Sequence, residues 1–233
     1  MRLKKVYLAL GSNLGERLHN LRKAIFLLPP AVLPLRASFV YETPPWGVED
    51  QPRFLNMTIE TATALPPLEL LAYLKAQEKQ MGRVETIRYG PRVIDMDILF
   101  YEREVYSDNS LQIPHPRLPE RAFVLLPLND LIPDFEHPVL EQSVAHLLKN
   151  TDLAGIIPQK LPAGFQLLPY DGWPSLPPDL RAALENNAPA AAAFYTMPPS
   201  HRQRWLNHIQ EAHKPETRRQ RIENMLTALA PQP

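Results

Sequence analysis

The chain has no cysteine. That excludes disulfides, thiolate metal sites and cysteine nucleophiles together. It also has no surplus of either charge: 25 basic residues stand against 25 acidic ones. A polyanion binder normally carries a basic excess, so nucleic acid is not expected as a partner. Long apolar runs are missing too; nothing approaches the roughly 20 residues that a spanning helix needs. The start, MRLKKVYLALGSN, has a basic end but only a short apolar stretch and no small-residue cleavage site. These absences predict a cytoplasmic protein with no membrane partner. Glycine is scarce at 8 residues, whereas proline is abundant at 27, often in pairs.

The 233 residues suffice for one large or two small domains. Lys5 to Leu10 reads as a short strand ending at Gly11. Leu14, Leu18, Leu21, Ile25 and Leu28 then recur at helical spacing, with Asn13 placed to cap and Pro29-Pro30 to stop the helix. Val32 to Tyr41 reads as a strand, and Phe54 to Ala64 alternates cleanly, Leu55, Met57 and Ile59 against Asn56, Thr58 and Glu60. Pro66-Pro67 opens a second helix whose predicted inner face is Leu68, Leu71, Leu74 and Met81, with Gly82 suited to its C′ position. A strand containing Asp95 and Asp97 follows. The order β-α-β-β-α-β predicts an α+β, ferredoxin-like core. A strand near Glu104–Tyr106 and helices over about 119–128 and 141–148 extend it. From Ile157 to Pro178 the pattern dissolves into linker composition, after which only helical segments follow. The predicted organisation is a first domain over 1–164, a linker over 165–175 and a small all-helical module over 176–233.

The stretch YGPRVIDMDILFY, residues 89–101, carries the most chemistry. Alternate residues of a strand share a face, so Asp95 and Asp97 point one way while Ile94, Met96 and Ile98 point the other. The carboxylates then stand roughly 6–7 Å apart and repel by about 2–3 kcal/mol at an effective dielectric of about 20. Either Arg83, Arg88 and Arg92 neutralise them, or they hold a hard cation such as Mg²⁺ that substrate phosphates complete. Arginines beside such a site suit phosphate oxygens, and the combination points to phosphoryl transfer. GSNLG (11–15) lacks the Lys-Ser/Thr ending of a P-loop and reads more simply as a strand-to-helix turn.

Other polar residues sit in odd places. Glu78 follows Leu71 and Leu74 on the second helix, either snorkelling to solvent or touching a ligand. Asn56 lies beside Phe54 and Thr58, as a sheet-edge amide or a reader of ligand. In IPHPRLPERAF, His115 is pinned between prolines with Arg117, Arg121 and Phe123 after it, which describes a phosphate grip as well as a structural loop. Trp46 in TPPWG stands on a stiff loop, where an exposed aromatic stacks on something planar.

Taken together, LALGSNLG (8–15), YETPPWG (41–47), QPRFLN (51–56), GRVETIRYGPRVIDMDILFY (82–101) and IPHPRLPERAFVLLPL (113–128) resemble the 6-hydroxymethyl-7,8-dihydropterin pyrophosphokinase family of folate biosynthesis. The resemblance covers roughly the first 160 residues and implies a ferredoxin-like core. It implies ATP as co-substrate, transfer of its β,γ-diphosphate to the pterin hydroxymethyl group, and release of AMP. It assigns two Mg²⁺ ions to Asp95 and Asp97, and catalytic roles to Arg83 and Arg92 on a closing loop that contains Tyr89. Glu78, Arg83, Arg92, His115 and Arg121 would contact ATP. Trp46 and Phe123 would sandwich the pterin, with Thr43, Phe54 and Asn56 also on its side. Tyr89 and Phe54 depart from the tryptophan and tyrosine familiar at those positions, and the loop between Arg83 and Arg92 is short. The partners so implied are small molecules only.

The tail, from about Leu176 to Pro233, is similar to the bacteriocin-protection (YdeI/OmpD-associated) family through PPSHRQRWLNHIQEAHKPETRRQRI. This resemblance names no partner for it. Two rivals remain at this point. Another metal-dependent phosphoryl-transfer enzyme would leave Trp46, Asn56 and Phe123 unexplained. An RNA-binding ferredoxin-like module would need sheet aromatics where acids stand.

Overall fold

The protein is described from a computed structural model, which covers residues 2–48, 50–84, 90–168 and 176–230. Arg88, Tyr89 and Trp173, singled out in the sequence, lie outside the described residues. The central strand β1 (Lys4–Ser12) sends Val6, Leu8 and Leu10 to one face, where they join a core with α1 (Arg17–Leu27) and α2 (Pro67–Gln80). Tyr7 and Ala9 go to the other face, towards α3 (Ala122–Leu131) and α4 (Val144–Lys149). The architecture is mixed α+β, with an antiparallel sheet covered by helices on both faces.

β1 is flanked on one side by β5 (Asp95–Tyr101) and on the other by β4 (Phe54–Thr63). β4 in turn pairs with both β2 (Val32–Ala37) and β3 (Tyr41–Thr43). Every one of these pairings is antiparallel. Gly11 sits opposite Asn56 on one side and Asp95 on the other; Ala9 sits between Thr58 and Asp97 in the same way. A bulge follows, because Leu8 pairs with Ile98 but Tyr7 with Phe100, leaving Leu99 as the extra residue. Leu99 and Phe100 therefore enter the same core, on the face that carries the two aspartates nearer the strand's start.

Some expected boundaries shift, each for a local reason. The single strand expected over 32–41 is two, because Ser38 interrupts it: its N–H donates to the Thr58 carbonyl and its hydroxyl accepts the Thr58 N–H, both at 2.9 Å. The first helix starts only at Arg17, and Asn13 does not cap it. The second helix buries Leu70, Leu74 and Glu78, a clean i, i+4, i+8 stripe, whereas Leu68 is exposed. The short strands β6 (Tyr106–Ser107) and β7 (Gln112–Ile113) pair with each other. The segment after α4 is not a free linker. β8 (Ile157–Pro158) adds to the edge of β3, Phe165 packs edge-on to His19, and Leu161, Leu167 and Leu168 pack on the first core.

Among the described residues, four helices follow: α5 (Pro178–Glu185), α6 (Ala188–Thr196), α7 (Pro199–Gln210) and α8 (Pro215–Leu229). Phe194, Leu180, Ile209 and Met225 form their core, and it continues without a break into Leu3, Leu33, Leu35 and Ala62 of the sheet. The Leu3 N–H donates to the Glu185 carbonyl at 2.6 Å across this junction. Among the described residues, no helix is long and apolar enough to cross a membrane.

Candidate active site

A cleft of about 390 Å³ opens over the beginnings of β4 and β5 and the end of β1. Its floor is the row Asn56–Gly11–Asp95 with Ala9 and Asp97 behind it. Glycine at position 11 leaves room for the Asn56 amide: a Cβ there would lie 2.6 Å from Asn56 Oδ1 and push that side chain aside. Asn56 Nδ2 donates to Thr43 Oγ1 at 2.8 Å, which fixes the amide across the floor.

One end of the cleft is charged. Asp95 accepts from Arg83 Nη1 and from Arg92 Nη1, both at 2.6 Å. Burial opposes its charge, but the Arg92 and Arg83 guanidiniums outweigh burial and hold the carboxyl below the ordinary carboxylate range. Asp97 is less tightly held, 3.8 Å from Arg121 and 4.0 Å from His115. Burial pushes the His115 imidazole down, against the pull of the neighbouring Asp97 carboxylate. Lys75 completes this end.

Arg83 owes its place to the end of α2. The Gly82 N–H donates to the Lys79 carbonyl and the Arg83 N–H to the Glu78 carbonyl, both at 3.0 Å, with Gly82 at φ 90°. This is the paired 5→2 and 6→1 closure that turns a chain sharply off a helix. It returns Arg83 to Glu78 and Asp95. Glu78 itself is buried and accepts from Lys75 at 2.9 Å, from Arg83 at 2.6 Å and from the Met96 N–H at 2.6 Å. Burial raises its pKa, even with Lys75 and Arg83 beside it.

The other end is mainly aromatic, with Arg121 over the Phe123 ring at 5.6 Å. Trp46 and Phe123 face each other with centroids 5.8 Å apart and planes tilted by 58°. Thr43, Pro44 and Phe54 line the same end, and Arg117 lies over the Trp46 ring at 5.7 Å.

Residues 7–133 match the family model of 7,8-dihydro-6-hydroxymethylpterin-pyrophosphokinase (HPPK). The chain belongs to the HPPK family. Residues 174–231 match a second model, bacteriocin-protection, YdeI or OmpD-associated. A Bacillus subtilis 2-amino-4-hydroxy-6-hydroxymethyldihydropteridine pyrophosphokinase is 46% identical over 132 residues, which is 56% of this chain and 79% of that one. A mitochondrial folate synthesis bifunctional protein of Pisum sativum is 50% identical over 130 residues, 55% of this chain and 25% of that one. The chain thus spans about a quarter of the length of such bifunctional relatives. Among solved structures, an HPPK-DHPS of Plasmodium falciparum with STZ-DHP superposes with a TM-score of 0.52 at 18% identity, over 64% of this chain and 45% of that one. That likeness is one of fold.

Of the HPPK residues picked from sequence, Arg83, Arg92, Asp95, Asp97, His115 and Arg121 line the charged end. Thr43, Trp46, Phe54, Asn56 and Phe123 line the other. Glu78 is the exception. It lies behind the cleft wall, neither snorkelling to solvent nor lining the cavity, and acts on the site through Arg83 and the Met96 amide. Three residues carry more than their sequence pattern marks. Gly11 reads as a strand end and the start of the GSNLG turn, not as a point of close approach. Lys75 sits one turn before Glu78, where the pattern marks only a helix position. Asn13, taken as a helix cap, accepts from the Arg92 N–H at 2.7 Å and donates from Nδ2 to Gln51 and to the Pro52 carbonyl. The signal the sequence offers is an asparagine between the two glycines of GSNLG; its burial shows only in the fold.

Proposed function

We propose that the chain transfers the terminal diphosphate of ATP to the hydroxymethyl oxygen of 6-hydroxymethyl-7,8-dihydropterin, giving AMP and the pterin diphosphate in folate biosynthesis. One observation carries this reading: a single cleft joins a cationic end built on two strand carboxylates to an aromatic end with an anchored amide. The substrates it suits are a polyphosphate and a planar amide-like ring. In this reading the pterin hydroxyl oxygen attacks the β-phosphorus and the bond to the oxygen bridging the α-phosphate breaks. Arg83, Arg92, His115, Arg121 and Lys75 neutralise the phosphates, Arg83 and Arg92 passing from Asp95 to phosphate oxygens as ATP enters. Glu78 serves the nucleotide side by orienting Arg83 and Lys75. Asn56 and the backbone at Thr43 read the ring's edge. Trp46 and Phe123 flank the ring, with Phe54 beside them; the Trp46 and Phe123 centroids stand 5.8 Å apart, and the two open to admit it, since a ring between two parallel faces needs about 7 Å.

The donor set fits a hard divalent cation. Asp95 and Asp97 are the acidic residues that line the cleft, and no third carboxylate or histidine joins them into a cage among the described residues. Substrate oxygens and water then complete the shell, as Mg²⁺ prefers. Asp95 and Asp97 would hold two Mg²⁺ ions, which when bound supply charge neutralisation at the transferred group. We further take 1–164 as the catalytic unit with a ferredoxin-like order, 165–175 as its connection and 176–233 as an all-helical module, in a cytoplasmic protein. An RNA-binding reading is disfavoured because helices cover both sheet faces, α1 and α2 on one, α3, α4 and the tail on the other. The test is incubation with ATP, Mg²⁺ and the hydroxymethyl-dihydropterin. Release of AMP supports the assignment, and release of ADP overturns it.

A further inference from the structure

β3 is only Tyr41–Thr43, yet it bears the turn Thr43-Pro44-Pro45-Trp46 that forms the aromatic end of the cleft. A three-residue strand at a sheet edge is a weak support for a rigid wall. Here it is not at the edge. Ile157 and Pro158 pair with Glu42 and Tyr41 on its outer side, and the Gln159 N–H donates to the Val40 carbonyl at 2.8 Å. The approach is then locked beside the turn. Gly155, at φ 73°, brings its backbone against the Pro44 ring; a Cβ there would lie 3.6 Å from Pro44 Cγ. Arg53, next to Phe54 on the far side of Thr43, donates from Nη2 to the Gly155 carbonyl and stands 3.7 Å from Glu42. Ala154 is set by its N–H donating to Asp152 Oδ1 at 2.8 Å. All of these segment residues lie beyond the family match, which ends at residue 133.

We infer that residues 153–159 form a strap that positions the substrate-ring wall, Thr43 to Trp46, and so sets affinity for the ring substrate without touching it. Gly155 and Arg53 are its positioning residues. The inference rests on the reading of that wall as the pterin side, and it predicts a split that general destabilisation does not give. The wall binds the ring, whereas the ATP groups stand on β5, α2 and the His115 loop and owe nothing to the strap.

The test uses the full chain. Gly155→Pro forbids the positive φ and Arg53→Met removes the clasp while leaving the turn's own residues intact. Each is to raise the pterin KM, by about tenfold for Gly155→Pro as expected for a displaced binding wall, with the ATP KM and kcat near those of the parent. A second readout needs no substrate: in a Trp173→Phe, Trp205→Phe background, Trp46 is the sole tryptophan, and its acrylamide quenching is to rise in both variants. Unchanged pterin KM and unchanged quenching in folded variants overturn the strap. So does a parallel loss of both KM values and kcat in proportion to the unfolded fraction, which is a structural role only. If the parent itself releases no AMP, the functional reading fails, and the strap stands or falls on the Trp46 quenching alone.

Discussion

The face of the sheet that carries Asp95 and Asp97 has two ends, and the same strands treat them in opposite ways. At one end β1, β4 and β5 present Gly11, Asn56, Asp95 and Asp97 to an open cleft. At the other, Leu3, Leu33, Leu35 and Ala62 lie under the tail helices and share a core with Phe194 and Met225. Between them Glu60 is buried, paired with Arg36 and 3.2 Å from Lys5, and Arg36 also donates to the Leu131 carbonyl at the end of α3. The apolar end is worth covering because each buried aliphatic side chain contributes about 1.5–3 kcal/mol. The polar end stays open because covering carboxylates and guanidiniums without water or substrate costs more than it returns. Substrate, in the proposed reading, is the cover for that end.

The difference predicts that substitutions at the two ends act on different observables. The largest effect belongs to Asp97→Ala, which should cost several kcal/mol of barrier, a loss of about a thousandfold or more in AMP release, the scale of metal electrostatic catalysis. Thermal unfolding of the apo chain should shift little, because relief of the repulsion from Asp95 offsets loss of the long Arg121 and His115 contacts at 3.8 and 4.0 Å. Turnover within tenfold of the parent would remove Asp97 from the chemistry. Leu33→Ala inverts the pattern: about 2–5 kcal/mol of stability lost by denaturant unfolding, with both KM values unchanged. Cutting the chain after Gly164 sharpens the same comparison. The truncated protein should keep AMP release but melt lower, because Leu3, Leu33, Leu35 and Ala62 become exposed and Leu167 and Leu168 leave the first core. Loss of activity with the core still folded by circular dichroism would mean that the two ends are coupled.

Within the cleft the expected effects are smaller. Trp46→Ala and Phe123→Ala should each weaken pterin binding by about 1 kcal/mol or more, with ATP binding to the free enzyme little changed; calorimetry showing the reverse would exchange the two ends. Gly11→Ala should act in the same direction, its methyl driving Asn56 off Thr43. The smallest effect is one of pH. Burial holds the His137 pKa below its ordinary 6.5, so the unfolded chain takes up that proton first. Each such proton bound as pH falls through 6.5 favours unfolding. Unfolding free energy should therefore decline from neutral pH towards pH 5.5, and His137→Gln should flatten part of that slope. His137 packs edge-on to Phe100, 5.5 Å between centroids, midway between the two ends.

Much of the cleft was legible in the sequence because strand alternation is a local rule. Asp95 with Asp97, and Asn56 with Phe54, share faces once the strands are recognised, whatever the rest of the chain does. Proline pairs and Gly82 marked the ends of elements for the same reason: they act through their own backbone. Glu78 was ambiguous, since its helical position was clear but its exposure depends on the strand it meets. Asn13 was misassigned as a cap because its partners, Arg92 and Gln51, are distant in the chain.

Local pattern is enough for the succession of strands and helices, the side of β5 on which two carboxylates stand, and the arginines and aromatics available to them. Those follow from backbone periodicity and from residue chemistry, which are properties of neighbours. Long-range packing set that both carboxylates are met by Arg83, Arg92, Arg121 and His115 in one cleft. It alone decided that the stretch read as a linker would add a strand beside the cleft wall, and that the tail would share a core with the far end of the same sheet. Register between strands, and the closure of long loops onto apolar surface, depend on pairings between residues far apart in the chain. No local pattern encodes which distant surface will be left uncovered, and it is that surface which the strap and the tail occupy.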